Sequence, residues 1–216
     1  MVSKKKVPSI EFLWLGLYAF AGFSLELILD VVVKSIKGSS LSLGWHLLMT
    51  SMLWLLCSLG LIFYSKNRFD FDVLKNKTEL RRKEKIILSI LTIIVILVTS
   101  LLFKGIKPMV EFNNGLKQNY LLLLLRMMYY ACEAILITLS IAFSQKFFED
   151  KFNINKKIPV GGFFLAATWG VIHLLLQGIS GGGFAIFFSI IAGLIYTNCQ
   201  KDFKKSYGLI CLMIIL

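Results

Sequence analysis

Six apolar runs, each close to the roughly 20 residues needed to cross the hydrocarbon of a bilayer, follow one another along a chain of 216 residues. They cover residues 10–33, 43–64, 86–103, 120–143, 158–177 and 184–198, and a shorter apolar stretch occupies 207–216. Inside lipid, every backbone polar group must be satisfied within its own segment or a closed barrel, so runs of this length fold as helices. The sequence therefore predicts an all-α, polytopic membrane helical bundle: six transmembrane helices plus a short C-terminal seventh. No polar stretch is long enough to build a separate core, so residues 1–216 read as a single integral membrane domain in a lipid bilayer. The 57% hydrophobic content and the mean hydropathy of +0.76 fit that class.

The net charge is +12, which in a soluble protein would point to nucleic acid. Here the cations follow topology instead. Eighteen Lys and Arg fall at the N-terminus and in the loops after the second, fourth and sixth runs, against five in the alternate loops. That asymmetry predicts a cytoplasmic N-terminus in a multi-pass cell-membrane protein whose basic loops meet anionic lipid, with no nucleic-acid partner. The start MVSKKKVPS has the charge of a signal peptide, but no small-residue cleavage motif follows, so the first run reads as an uncleaved span. The four cysteines, Cys57, Cys132, Cys199 and Cys211, form no CxxC pair and read as small buried hydrophobes.

Several polar features have ordinary readings. Glu26 and Asp30 share a helix face, Glu26 toward the bundle and Asp30 near headgroups. His46 reads as interfacial beside Trp45, and the FDFDVL stretch as an interfacial patch. Thr78 is a candidate N-cap for the third helix. Residues 104–119 read as a polar loop, and GISGGG as a tight turn between the fifth and sixth spans.

Two ionisable residues have no such reading. Glu133 lies deep in the fourth run and His173 in the fifth. A carboxylate at mid-bilayer costs roughly 2.5–3.5 kcal/mol on insertion scales, so it marks a site. Arg126 is seven residues before Glu133 on the same face. Trp169 and Gln177 stand one turn before and one turn after His173. Low dielectric disfavours the charged form of a carboxyl, which suits a group that must take and then return a proton. A Glu and a His on neighbouring helices can activate a water between them, with Trp169, Gln177 and Arg126 as supporting groups. This needs no cofactor, and one Glu with one His is too few ligands for a metal.

The order of a Glu-bearing span, a loop, a W-x-x-x-H span, a Gly-rich turn and a span ending G-L-I-Y resembles the CPBP family of intramembrane glutamic endopeptidases. That family includes the CAAX prenyl proteases and the bacterial Abi proteins. The resemblance covers about residues 121–216. It departs from the family pattern at four points: Cys132 replaces the first Glu of E-E-x-x-x-R, Ile137 replaces its Arg, Trp169 replaces the Phe of F-x-x-x-H, and the last stretch, CLMIIL, holds no His. The resemblance implies cleavage of a peptide or membrane-protein tail by a water activated at Glu133 and His173. The departures keep open a non-catalytic scaffold that binds a partner enzyme or a bacteriocin-like peptide. A small membrane transport subunit, with Glu26, Arg126, Glu133 and His173 lining a polar cavity, is a third reading.

Overall fold

The computed structural model describes residues 7–116 and 118–216, and every regular element among them is helical. In chain order these are α1 (Ile10–Ala21), α2 (Ser24–Lys37), α3 (Leu43–Phe69), α4 (Arg82–Phe103) and α5 (Lys107–Val110), which runs into a π-helical turn at Glu111–Gly115. Then come α6 (Tyr120–Phe152), α7 (Val160–Leu165) with a π-helical turn at Ala166–Gly170, α8 (Val171–Asn198) and α9 (Phe203–Ile215). Among the described residues four helical stretches are long and apolar enough to cross a membrane: Leu43–Phe69, Arg82–Asn113, Tyr120–Phe152 and Val160–Asn198. The pair α1 and α2, bent by 43° where one continuous first span was expected, adds a fifth if it crosses as one. At the bend, Gly22 lets the backbone approach Cys57 Sγ and Leu136, 3.1 Å from where a Cβ would stand.

The stretch Val160–Asn198 is not one straight rod. Gly178 has φ +71° and ψ −170°, and the chain reverses there. A Cβ on Gly182 would lie 2.2 Å from Leu174 Cα, one on Gly170 3.2 Å from Ile186 Cα, and one on Gly193 2.5 Å from Gly162 Cα. Residues eight apart on a continuous helix are about 12 Å apart, so these contacts define an antiparallel helical hairpin with Gly178 at its tip. GISGGG does form the expected turn, but the reversal is confined to Gly178 and the following residues are already helical. Small residues let the two arms touch backbone to backbone, as helices do where lipid supplies no hydrophobic drive for association.

α6 is the centre of the bundle and packs against α1, α3, α7 and α9. Its residues 136–145 are buried without a break. Hydroxyls along these helices turn back onto their own carbonyls: Thr138 Oγ1 donates to Ala134 O at 2.7 Å, Ser144 Oγ to Ser140 O at 2.6 Å and Ser189 Oγ to Ala185 O at 2.7 Å. This leaves their polar atoms satisfied in apolar surroundings. α6 also runs past the expected end near residue 143. Gln145, fully buried, accepts the Gly161 N–H at 2.9 Å and donates to Ile158 O at 2.9 Å, which fixes the start of α7.

The polar segments between the helices are tied into the fold in three places. Phe71 of FDFDVL packs inward: its ring lies 5.1 Å from Phe12 and 6.2 Å from Phe143, and it closes the apolar core at that end with Val73. Thr78 caps nothing; α4 starts at Arg82, where Glu84 Oε2 accepts the Arg81 N–H at 2.8 Å. Thr78 is instead tied to the α8–α9 connection, its N–H to Asp202 at 3.3 Å and its hydroxyl to Cys199 O at 3.3 Å. Residues 104–119 are not an open polar loop, because α5 and its π turn fold back toward α6.

Asp202 is the N-cap of α9, accepting the Lys205 N–H at 3.2 Å, and it also faces the Lys205 ammonium at 3.1 Å. Burial pushes its carboxyl up, but the hydrogen bonds from Lys205 and Thr78 outweigh that and hold it below the ordinary aspartate range. A lowered folded value means a contribution that is present above the unfolded value near 3.9 and lost as pH falls through the folded one. Asp202→Ala is expected to cost about 1–2 kcal/mol at neutral pH. The difference from the native chain should shrink below about pH 4, as read by thermal unfolding in detergent.

Candidate functional site

A cavity of about 440 Å³ lies inside the bundle between α4, α5, α6, the helical hairpin and α9. Glu133, His173, Trp169, Gln177 and Arg126, the residues singled out in the sequence, all line it. The difference in depth between Glu133 and His173 along their helices does not keep them from the same chamber.

Each wall follows from local sequence. On α6, Arg126, Tyr129, Tyr130 and Glu133 are spaced three, four and seven apart and so share one face. On the hairpin, Trp169, His173 and Gln177 repeat every four residues. The π-helical turn Ala166–Gly170 inserts at this point, and Trp169 lies within it. Such insertions widen the helix and recur at functional sites. His173 Nδ1 is 2.9 Å from Trp169 O. A carbonyl can only accept, so Nδ1 carries the proton and a neutral ring keeps Nε2 as an acceptor. The Trp169 and His173 rings are 4.1 Å apart, and Trp169 is held in turn by Phe23 and Phe188.

The segment read as a polar loop supplies two charges to the same chamber, Lys107 and Glu111. Lys107 Nζ donates to Ile214 O at 3.1 Å near the C-terminal end of α9 and lies 3.9 Å over the Tyr130 ring. A cation beside the last carbonyls of a helix is favourably placed. Glu111 accepts a short hydrogen bond from the Tyr130 hydroxyl. Its other oxygen is 3.9 Å from Arg126 Nε, too far for a hydrogen bond, and both atoms are buried with no hydrogen-bond partner. Buried polar atoms of this kind are exceptions that mark places where a ligand group or water is accommodated. Lys107, Arg126 and Glu26 are all within Coulombic reach of Glu133.

A second polar group stands behind this wall. Glu26 of α2 accepts from the Tyr129 hydroxyl at 2.9 Å and lies 2.9 Å from His46 Nε2. His46 Nδ1 is 3.2 Å from Asp30. His46 is therefore not a lone interfacial imidazole. It sits between two carboxylates. The chain Asp30–His46–Glu26–Tyr129 ends on a residue that lines the cavity. The i, i+4 pair Glu26 and Asp30 was visible in the sequence; its partner 20 positions away was not. Replacing His46 with Phe leaves both carboxylates without the imidazole they share. The expected cost is about 1–3 kcal/mol, seen as a lower unfolding temperature in detergent, with Glu26→Gln partly restoring it in the double variant.

The four cysteines are free, and none lines the cavity. Among the described residues no cluster of three His, Cys, Asp or Glu side chains could hold a metal ion. Compared with family models, curated proteins and solved structures, the chain matches none of them.

Proposed function

We propose that the protein is a multi-pass membrane peptidase that hydrolyses a peptide or membrane-protein tail in the cavity at Glu133 and His173. The observation that carries this reading is that a carboxylate, an imidazole with a free Nε2 and the cations Lys107 and Arg126 line one chamber of about 440 Å³ inside an apolar bundle. In this reading the two arms of the hairpin cross separately, which gives six crossings with the N-terminus in the cytoplasm and α9 as a short seventh element. The lysine and arginine distribution and the reversal at Gly178 support that topology.

The chemistry runs as follows. In its carboxylate form Glu133, which shares the chamber with Lys107 and Arg126, takes a proton from a water whose oxygen attacks the scissile carbonyl carbon. The carbonyl π pair moves onto oxygen, and the nearby cations stabilise the oxyanion. His173 Nε2 accepts from the attacking water or the substrate amide and orients it. Glu133 then returns its proton to the amide nitrogen as the C–N bond breaks and the carbonyl re-forms, leaving a carboxylic acid and an amine, between which the remaining proton passes to give carboxylate and ammonium. Apolar walls from Phe184, Phe188 and Met213 leave room for a side chain of the substrate.

A second reading rests on a specific observation. Glu111 and Arg126 face each other across 3.9 Å with partnerless atoms, which suits binding of a charged peptide group with no cleavage. One experiment separates the two. Peptide termini are compared in membranes of cells carrying the native chain and cells carrying Glu133→Gln. New termini that depend on Glu133 support the peptidase; identical termini in both would leave the binding reading.

A further inference from the structure

A second cleft, of about 870 Å³, lies at the opposite end of the bundle from the Gly178 tip. Its walls come from three separate segments: the start of α4, the α6–α7 connection and the end of α8. Arg81, Arg82, Lys83, Lys156, Lys157 and Lys201 line it, with Glu84 as the one acidic residue. Two of these cations are already engaged. Lys201 pairs closely with Glu149, and Arg81 lies 3.6 Å from Glu84. Glu84 is itself held by the Arg81 N–H and by Gln200 Nε2 at 2.9 Å, so it orders the cleft wall more than it neutralises the cleft.

Among the described residues no carboxylate pairs with Arg82, Lys83, Lys156 or Lys157, and all four are exposed. Four like charges held around one concavity repel each other unless an anion joins them. One apolar residue, Ile87, takes part in the lining, and along α4 the residues Ile87, Ile90, Ile94, Leu97 and Leu101 continue as one exposed face, 42%, 52%, 39%, 57% and 78% exposed. A basic concavity that opens onto an apolar helix face matches an amphiphile with an anionic head and a hydrocarbon tail. It does not match a free anion, which gains nothing from the apolar stripe.

From this juxtaposition we infer that the cleft binds the phosphate headgroup of an anionic glycerophospholipid, with one acyl chain along α4. Basic pockets between membrane helices on the cytoplasmic side hold lipid phosphates in this manner. The inference requires only that α4 faces lipid, and it stands or falls independently of the peptidase reading.

The test uses the full chain, delipidated in detergent, with dioleoylphosphatidylglycerol, dioleoylphosphatidylcholine or inorganic phosphate added. Bound lipid is counted by native mass spectrometry and stabilisation by thermal unfolding. Arg82→Gln/Lys156→Gln/Lys157→Gln removes three charges from the cleft. Lys75→Gln/Lys77→Gln/Lys204→Gln removes the same number from outside its lining and serves as the control. At about fivefold per surface cation, the cleft variant is expected to bind phosphatidylglycerol roughly a hundredfold more weakly, with the control close to the native chain. Equal weakening in both variants would reduce the effect to surface charge and overturn the site. Stabilisation by inorganic phosphate equal to that by phosphatidylglycerol would make it a free-anion site and overturn the lipid assignment. Equal binding of phosphatidylcholine, or no binding of phosphatidylglycerol, would also overturn it.

Discussion

On the proposed peptidase reading, Glu133→Gln is expected to lower peptide-bond cleavage by at least about a hundredfold while leaving the bundle folded, since a positioned general base contributes roughly 10²–10⁴-fold. The amide keeps the size of the carboxyl but cannot take the proton of the attacking water. Glu133→Asp keeps the chemistry and withdraws it by one methylene, so partial activity is expected, and partial rescue by Asp would separate a proton-transfer role from a packing role. His173→Gln should also cost about 10²-fold or more. The carbonyl of Trp169 fixes which imidazole nitrogen faces the cavity, and an amide cannot reproduce that acceptor geometry. The Glu26→Gln change makes a useful contrast. Glu26 holds Tyr129 and His46 from behind the wall, so its loss is expected to show in unfolding temperature before it shows in turnover. Cleavage that persists in Glu133→Gln would remove the proposed base. Peptide binding that persists in it, in a chain that never cleaves, would move the function to the scaffold reading.

The largest structural effect is expected at the hairpin glycines. A side chain at Gly193 would place its Cβ 2.5 Å from Gly162 Cα and 2.7 Å from Gly162 N, and one at Gly182 would lie 2.2 Å from Leu174 Cα. These neighbours are backbone atoms and cannot rotate away, so the two arms must separate. Gly193→Leu and Gly182→Val are each expected to cost on the order of 3–5 kcal/mol, at the high end for single substitutions. Prising the arms apart also moves Trp169 and His173 off the chamber wall, so any activity should fall with stability. Gly183 and Gly208, with nothing within 4 Å of a Cβ, serve as controls. Alanine there should be neutral or slightly stabilising, because it favours helix over glycine by up to about 1 kcal/mol. At Gly178 the space is also open, but φ is +71°, so alanine should cost about 1–2 kcal/mol through backbone strain alone. Thermal unfolding of the five variants would order them. A Gly182→Val protein as stable as Gly183→Ala would contradict the close approach of the arms.

The cavity and its supporting groups divide by how much of each was legible in the residues. The stripe Arg126, Tyr129, Tyr130 and Glu133 was readable from helical spacing, although only its two ends stood out as charges. The trio Trp169, His173 and Gln177 was readable in the same way. Lys107 and Glu111 were not, because a segment with Pro108 and Asn113-Asn114-Gly115 has the composition of a solvated loop. Nothing in that composition says that it folds inward and ties to Ile214 and Tyr130. The partners of His46 were hidden for a related reason. A histidine beside a tryptophan at a helix start fits the interface by itself, and only the packing of α2 back along α3 brings Glu26 and Asp30 to it.

The all-helical class, the approximate positions of the long helices and the polar stripes on α6 and the hairpin were legible in the sequence alone. Those depend on local quantities: the length of apolar runs, the period of 3.6 residues and the cost of leaving backbone groups unpaired in lipid. Tertiary structure decided which polar faces meet. Hydrophobic patterning says that a side chain turns inward but not what it meets there. That depended on the reversal at Gly178, the bend after Ala21 and the inward fold of α5, where a few backbone angles and close glycine contacts bring distant residues together.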